Sequence, residues 1–235
     1  LPAAGRQRLL VRINAAGTPW HEDDCAAVAG LVLQGLIAGV VLPKAERGGD
    51  LRRLAEAIGP RGVLVPLVES AAGLAAIDEL AAAPQVLRLA FGNLDFQADV
   101  GLACDADEAE LVPVRLALLL ASRRAGLPAP IDGVTADWRD AQRLAADTAR
   151  ARRGGFGAKL CIHPDQVAPV QAALGPSDGE LAWARRVIEA VRSAGGGVAS
   201  LDGRMVDAPV VRLAERLQAL AAEQDRHPTT KETSK

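Results

Sequence analysis

The chain has 235 residues, 49% hydrophobic and 24% charged, an ordinary globular composition. With 27 Lys and Arg against 29 Asp and Glu the net charge is −2. No broad cationic surface exists to hold a nucleic-acid backbone or an anionic membrane, and no apolar run approaches the roughly 20 residues of a spanning helix.

Three cysteines, Cys25, Cys104 and Cys161, are an odd number without CxxC spacing. They fit neither a disulfide framework nor a structural zinc site, and the expected compartment is a reducing cytoplasm. Leu1 to Arg8 lacks the apolar stretch of a secretory signal, and the missing initiator Met points to a processed, truncated or partial chain.

Short apolar, β-branched segments alternate with longer Ala- and Leu-rich ones, the rhythm of βα units feeding a parallel sheet. Strands are expected at Leu9–Asn14, Gly39–Lys44, Val63–Glu69, Leu87–Asp95, Pro130–Val134 and Lys159–His163. Helices poor in internal Gly and Pro are expected near Asp23–Gln34, Asp50–Ile58, Ala71–Ala82, Glu108–Gly126 and Asp137–Arg153. Further helices follow at Asp178–Ala194 and Pro209–Gln224, separated by a glycine-rich segment, Gly195–Gly203, that reads as a lid or hinge. The polar end of the chain reads as a frayed tail. The expected domains are a partial barrel over residues 1–175, a helical extension over 176–224 and a disordered tail over 225–235.

Each expected strand ends in a polar residue: Asn14, Lys44, Glu69, Asp95, Asp132 and His163. Ligands of α/β folds sit at the carboxyl ends of parallel strands, so this set reads as the rim of one site. Glu69 and Asp95, on neighbouring strands, could share one Mg²⁺, which is commonly held by one or two carboxylates with waters and substrate oxygens; the alternative is that each caps the helix after it. Arg12 lies within an apolar strand, where an unpaired guanidinium is costly, so an anion is expected beside it: a substrate carboxylate, or Glu69 or Asp95. Lys44 reads either as a Schiff-base amine, if desolvated, or as a support residue paired with Glu46. Gly154–Lys159 precedes a strand and is neither a P-loop nor a dinucleotide fingerprint. His163 reads as a packed histidine rather than a triad member, Cys161 as a small buried hydrophobe, and Asp207 on spacing alone as a helix N-cap.

Seven motifs occur in order: Val11-Arg12-Ile13-Asn14, Leu42-Pro43-Lys44-Ala45-Glu46, Val68-Glu69-Ser70-Ala71-Ala72-Gly73-Leu74, Phe91-Gly92-Asn93-Leu94-Asp95, Ile131-Asp132-Gly133-Val134, the run from Lys159 to Gln166, and the run from Gly203 to Pro209. Together they resemble the citrate lyase beta-subunit-like branch of the HpcH/HpaI aldolase/citrate lyase family. The resemblance implies a (β/α)8 TIM-barrel-type fold, with the first two strands of the family pattern missing from this chain. It implies an enzyme, a Mg²⁺-dependent carbon–carbon lyase that cleaves or forms hydroxyacyl-CoA thioesters such as malyl-CoA or citramalyl-CoA, coenzyme A being part of the substrate. By the same resemblance Glu69 and Asp95 hold the metal, Glu69 also lies against substrate, and Arg12 contacts a substrate oxygen. Asp207, delivered from a neighbouring subunit, transfers a proton, and His163 and Gln166 lie near the coenzyme. A homotrimer or hexamer is expected. Two other readings stay open: an aldolase acting on free 2-keto-3-deoxy acids without coenzyme A, and a beta-like subunit that depends on an acyl-carrier partner.

Overall fold

A computed structural model describes residues 9–195 and 199–226. The chain divides into two compact units, Leu1–Gln166 and Val167–Lys235. The first is built on six parallel strands hydrogen-bonded in sequence order: β1 (Leu10–Arg12), β2 (Gly39–Leu42), β3 (Val63–Val68), β4 (Ala90–Phe91), β5 (Ile131–Asp132) and β6 (Ala158–Lys159). All six expected strands are present, though shorter than their apolar runs. Each neighbouring pair is joined by helical crossovers, as parallel pairing requires. The result is an α/β unit with a curled parallel sheet.

The helices of this unit are α1 (His21–Leu33), α2 (Gly48–Ile58), α3 (Ala71–Ala75), α4 (Ile77–Ala81), α5 (Asn93–Val100), α6 (Val112–Arg124) and α7 (Ala141–Arg153). In α2 the buried residues Leu51, Leu54, Ala55 and Ile58 follow the spacing of one helical face. The expected Ala71–Ala82 helix is two short ones meeting at Ala76. Helix α5 replaces the second half of the strand expected over Leu87–Asp95.

Alternation along the strands decides what each side chain meets. Val11, Val40, Leu42, Leu64, Val68 and Phe91 pack into the large core shared with the helices. Their neighbours Leu10, Val41, Val65, Leu67, Ala90, Ile131 and Leu160 form a separate apolar cluster on the other face of the sheet.

The second unit holds α8 (Val167–Leu174), α9 (Asp178–Ser193), strands β7 (Ala199–Leu201) and β8 (Arg204–Val206), and α10 (Ala208–Arg226). Ala184 and Val187 of α9 pack with Ala214 and Leu217 of α10. Ser177 and Glu180 form a reciprocal capping box at the start of α9. The described part of the segment expected as a lid or hinge is an antiparallel hairpin, whose two turn residues, Asp202 and Gly203, have φ of 51° and 75°. Two successive left-handed residues match the right-handed twist of the flanking strands. Residues 1–8, 196–198 and most of the expected tail, 227–235, lie outside the described residues. Among the described residues no helix is long and apolar enough to cross a membrane, and the three cysteines are free thiols.

Candidate active site

Counting by twos from Val65 and Leu67 on the inner face of β3 brings Glu69 to the same side, just past the strand's carboxyl end. The same count from Leu10 brings Arg12 there on β1. Arg12 and Glu69 line one cavity of about 320 Å³ with Asn14, Pro43, Lys44 and Asp95. Asp95 arrives by another route: it belongs to the first turn of α5, directly after β4.

Glu69 is only 5% exposed. Its Oε1 accepts a hydrogen bond of 2.8 Å from the backbone amide of Lys44, a residue whose φ of 44° is left-handed. A Cβ on Gly92 would lie 2.4 Å from Oε2, so only glycine leaves room for this carboxylate. Burial pushes the Glu69 carboxyl above its ordinary pKa; the Lys44 amide opposes this, the charge of Asp95 adds to it, and the charges of Arg12 and Lys44 pull it down. The cap at the start of α3 is Ser70, whose Oγ accepts from the Gly73 amide at 3.1 Å, so Glu69 is free of that duty. Asp95 is not a capping residue either, since Gly92 occupies the N-cap of α5.

A carboxylate fixed in a desolvated position beside a second carboxylate suits a hard divalent cation, which would offset both penalties. Among the described residues no group of three or more His, Cys, Asp or Glu side chains converges on one point. Two carboxylates leave most positions of an octahedral shell to water and substrate oxygens, the manner in which Mg²⁺ is usually held.

A family model, HpcH/HpaI aldolase/citrate lyase, matches residues 1–164. The chain belongs to the HpcH/HpaI aldolase/citrate lyase family. It is 38% identical over 222 residues to a citrate lyase subunit beta-like protein of Mycobacterium tuberculosis, covering 92% of this chain and 77% of that one. It is 32% identical over 206 residues to a (3S)-malyl-CoA thioesterase of Cereibacter sphaeroides, covering 86% and 70%. A crystal structure of the protein CitE from M. tuberculosis, in complex with magnesium, acetoacetate and coenzyme A, matches at 36% identity with a TM-score of 0.76, covering 91% of this chain and 78% of that one. The chain is therefore an enzyme of a lyase and aldolase family.

Within this family member the six polar strand ends do not form one rim. Asn14, Lys44, Glu69 and Asp95 share the cavity with Arg12, but Asp132 and His163 do not. Arg12 itself is exposed rather than buried, because β1 ends where the inner face opens into the cavity. Lys44 is also an exposed residue, not the desolvated one that a Schiff-base nucleophile needs; Glu46 accepts from Ser70 Oγ at 2.6 Å, and the contribution of Lys44 to the site is its backbone amide.

His163 stacks on Trp138, with ring centroids 4.0 Å apart and planes inclined by 15°, and the Arg139 guanidinium lies over the Trp138 ring at 4.6 Å from its centroid. This flat platform went unread in the sequence, where Trp138 stands alone in a polar stretch. Gln166 is fully buried: its Oε1 accepts from the Ile162 amide at 2.9 Å and its Nε2 donates to the Thr135 carbonyl at 3.0 Å, tying together the loops after β5 and β6. In the second unit Asp207 Oδ1 accepts from the Val210 amide at 3.2 Å at the start of α10.

Sequence reasoning also missed a buried charge network on the outer face of the sheet. Asp132 accepts from Arg115 Nε at 2.9 Å, and Arg115 reaches across to Glu108. Glu108 also receives Arg150 at 2.7 Å, and Asp147 receives Arg143 at 2.8 Å and Arg150 at 3.0 Å. Lys159, whose pKa is lowered chiefly by burial, donates to the Gly133 carbonyl at 2.7 Å. The readable signal was the spacing of Arg143, Asp147 and Arg150, which places all three on one helix face.

Proposed function

We propose that this enzyme is a Mg²⁺-dependent carbon–carbon lyase that cleaves or forms a hydroxyacyl-CoA thioester such as malyl-CoA or citramalyl-CoA. The observation that carries this reading is the convergence of Arg12, Glu69 and Asp95 on one cavity at the carboxyl ends of parallel strands. The relative bound to magnesium, acetoacetate and coenzyme A supports it. In cleavage the substrate hydroxyl loses its proton, the bond between the hydroxyl-bearing carbon and its neighbour breaks, a 2-keto acid departs, and the thioester enolate is protonated at carbon. Glu69 and Asp95 would hold Mg²⁺, which when bound lowers the hydroxyl pKa and polarises the nascent carbonyl.

The other residues bind substrate, fix the metal-holding pair or carry a proton. Arg12 holds the substrate carboxylate or carbonyl oxygen and presents fixed positive charge where negative charge gathers. The Lys44 amide fixes the carboxylate of Glu69. Asp207, supplied by a neighbouring subunit of a trimer or hexamer, exchanges the proton at the enolate carbon. The His163 platform on Trp138 and the loop tied by Gln166 mark the coenzyme end. In this reading the six strands are part of an eight-stranded (β/α)8 barrel, and residues 176–224 form the extension that carries Asp207.

A second reaction has specific support in the relative named a (3S)-malyl-CoA thioesterase, which would release the hydroxy acid intact. One experiment separates the two: incubate the purified protein with malyl-CoA or citramalyl-CoA, with Mg²⁺ or with EDTA, and identify products by mass spectrometry. Lysis gives a 2-keto acid and acetyl-CoA in the Mg²⁺ arm alone. Free coenzyme A with malate or citramalate identifies thioester hydrolysis, and no turnover of either substrate overturns the reading.

A further inference from the structure

We propose that Asn93 is a positioning residue that sets where Asp95 stands in the metal-binding pair, an inference that rests on the functional reading above. The two carboxylates are held differently. Glu69 is fixed directly, by the Lys44 amide. Asp95 is exposed, and among the described residues no hydrogen bond holds its carboxylate, so its place follows from the placement of α5.

The first residue of that helix is Asn93, 1% exposed. Its carboxamide spans the backbone after β5: Oδ1 accepts from the Val134 amide at 2.9 Å, and Nδ2 donates to the Val134 carbonyl at 3.2 Å. The fit is close enough that a Cβ on Gly133 would lie 2.1 Å from Oδ1. Nδ2 also reaches Glu108 Oε1 at 3.3 Å. Glu108 is itself buried, with a left-handed φ of 49°, and is anchored by Arg115 and Arg150. Arg115 closes the chain on Asp132 at the end of β5. One side chain thus locks the α5 N-terminus to the β5 loop on two backbone atoms and a fixed carboxylate. A rotation of α5 about its axis would break all three contacts and swing Asp95 away from Glu69.

The test is a titration of the full chain with Mn²⁺, followed by the EPR signal of free ion and by Mg²⁺ competition, at a temperature below every variant's melting transition. Asn93→Ala removes the clamp and should weaken the cation by about 10-fold to 100-fold, the range for outer groups that orient a ligand. Asn93→Ser, which replaces the carboxamide with a shorter group that can still donate and accept a hydrogen bond, gives a second measure if the alanine variant does not fold, and should show a smaller loss. Gln97→Ala breaks the 3.0 Å bond from Gln97 Nε2 to the Asn93 carbonyl but leaves the clamp, and should bind Mn²⁺ as the parent does. If the parent binds Mn²⁺ and the folded Asn93 variants bind it equally well, the inference is overturned; an equal loss in Gln97→Ala overturns it too, since general loosening of α5 would then suffice. A parent that binds no Mn²⁺ defeats the functional reading itself.

Discussion

Arg12 and Glu69 meet at one cavity yet differ in what each would do to the protein if replaced. Arg12 is exposed, so Arg12→Ala should leave the melting temperature nearly unchanged, as surface substitutions do. Its effect should fall on turnover, where loss of one fixed donor at a developing oxyanion costs about 10²–10³-fold; kcat/KM on a hydroxyacyl-CoA thioester measures it. Glu69 carries a raised pKa, due first to burial and then to Asp95. Without metal the folded state therefore holds this proton more tightly than the unfolded chain. That contribution to stability is complete below the ordinary carboxylate pKa and is lost as pH rises through the raised folded value. Glu69→Gln mimics the protonated form, so the melting temperature of the metal-free parent should fall relative to the variant as pH rises toward neutrality. A difference independent of pH would show that Glu69 is not desolvated as described. The positions of Glu69 and Arg12 were legible because Glu69 closes an apolar run and Arg12 interrupts one, and side-chain alternation within such a run is fixed.

Among the elements, α6 and α7 show where burial contradicts composition. Arg115, Glu108, Asp132 and Asp147 would each pass for solvated residues in the sequence, yet all are buried. Their pairing is a tertiary fact: Arg115 meets Asp132 from another element, and only Arg143, Asp147 and Arg150 announce themselves by helical spacing. Removing one member leaves an uncompensated charge, so Arg115→Ala should cost about 3–5 kcal/mol in chemical denaturation. Gly133→Ala should also destabilise, because its Cβ would overlap Asn93, and should disturb cation binding with it. The strands were legible from their β-branched apolar runs. Helix α5 was not, because Leu94 two residues beyond Gly92 extends the apolar residues of β4, and the short pair Gly92-Asn93 is the sole mark of the break. The hairpin in the second unit hid behind its glycines, although Asp202-Gly203 is a common sequence for such a turn.

For the whole molecule, bound Mg²⁺ should act as a ligand of the folded state. A concentration about 100 times its dissociation constant should add about 2.7 kcal/mol to unfolding, and EDTA should reverse it. Thermal melts with and without Mg²⁺ check this, and Glu69→Gln should abolish the difference. The βα rhythm made the sequential parallel order legible, since each crossover brings the next strand beside the last. The division into two units was harder to place, because α8 looks no different in composition from the segments before it.

The alternation along β3 limits how this protein can change over evolutionary time. Loops between elements can gain or lose residues with little penalty. One residue inserted or deleted between Val63 and Val68 would instead exchange the two faces of the strand, driving Glu69 into the helical layer and Val68 into the cavity. Descendants of this sequence should therefore vary in the length of their crossovers while the count from Val63 to Glu69 stays fixed.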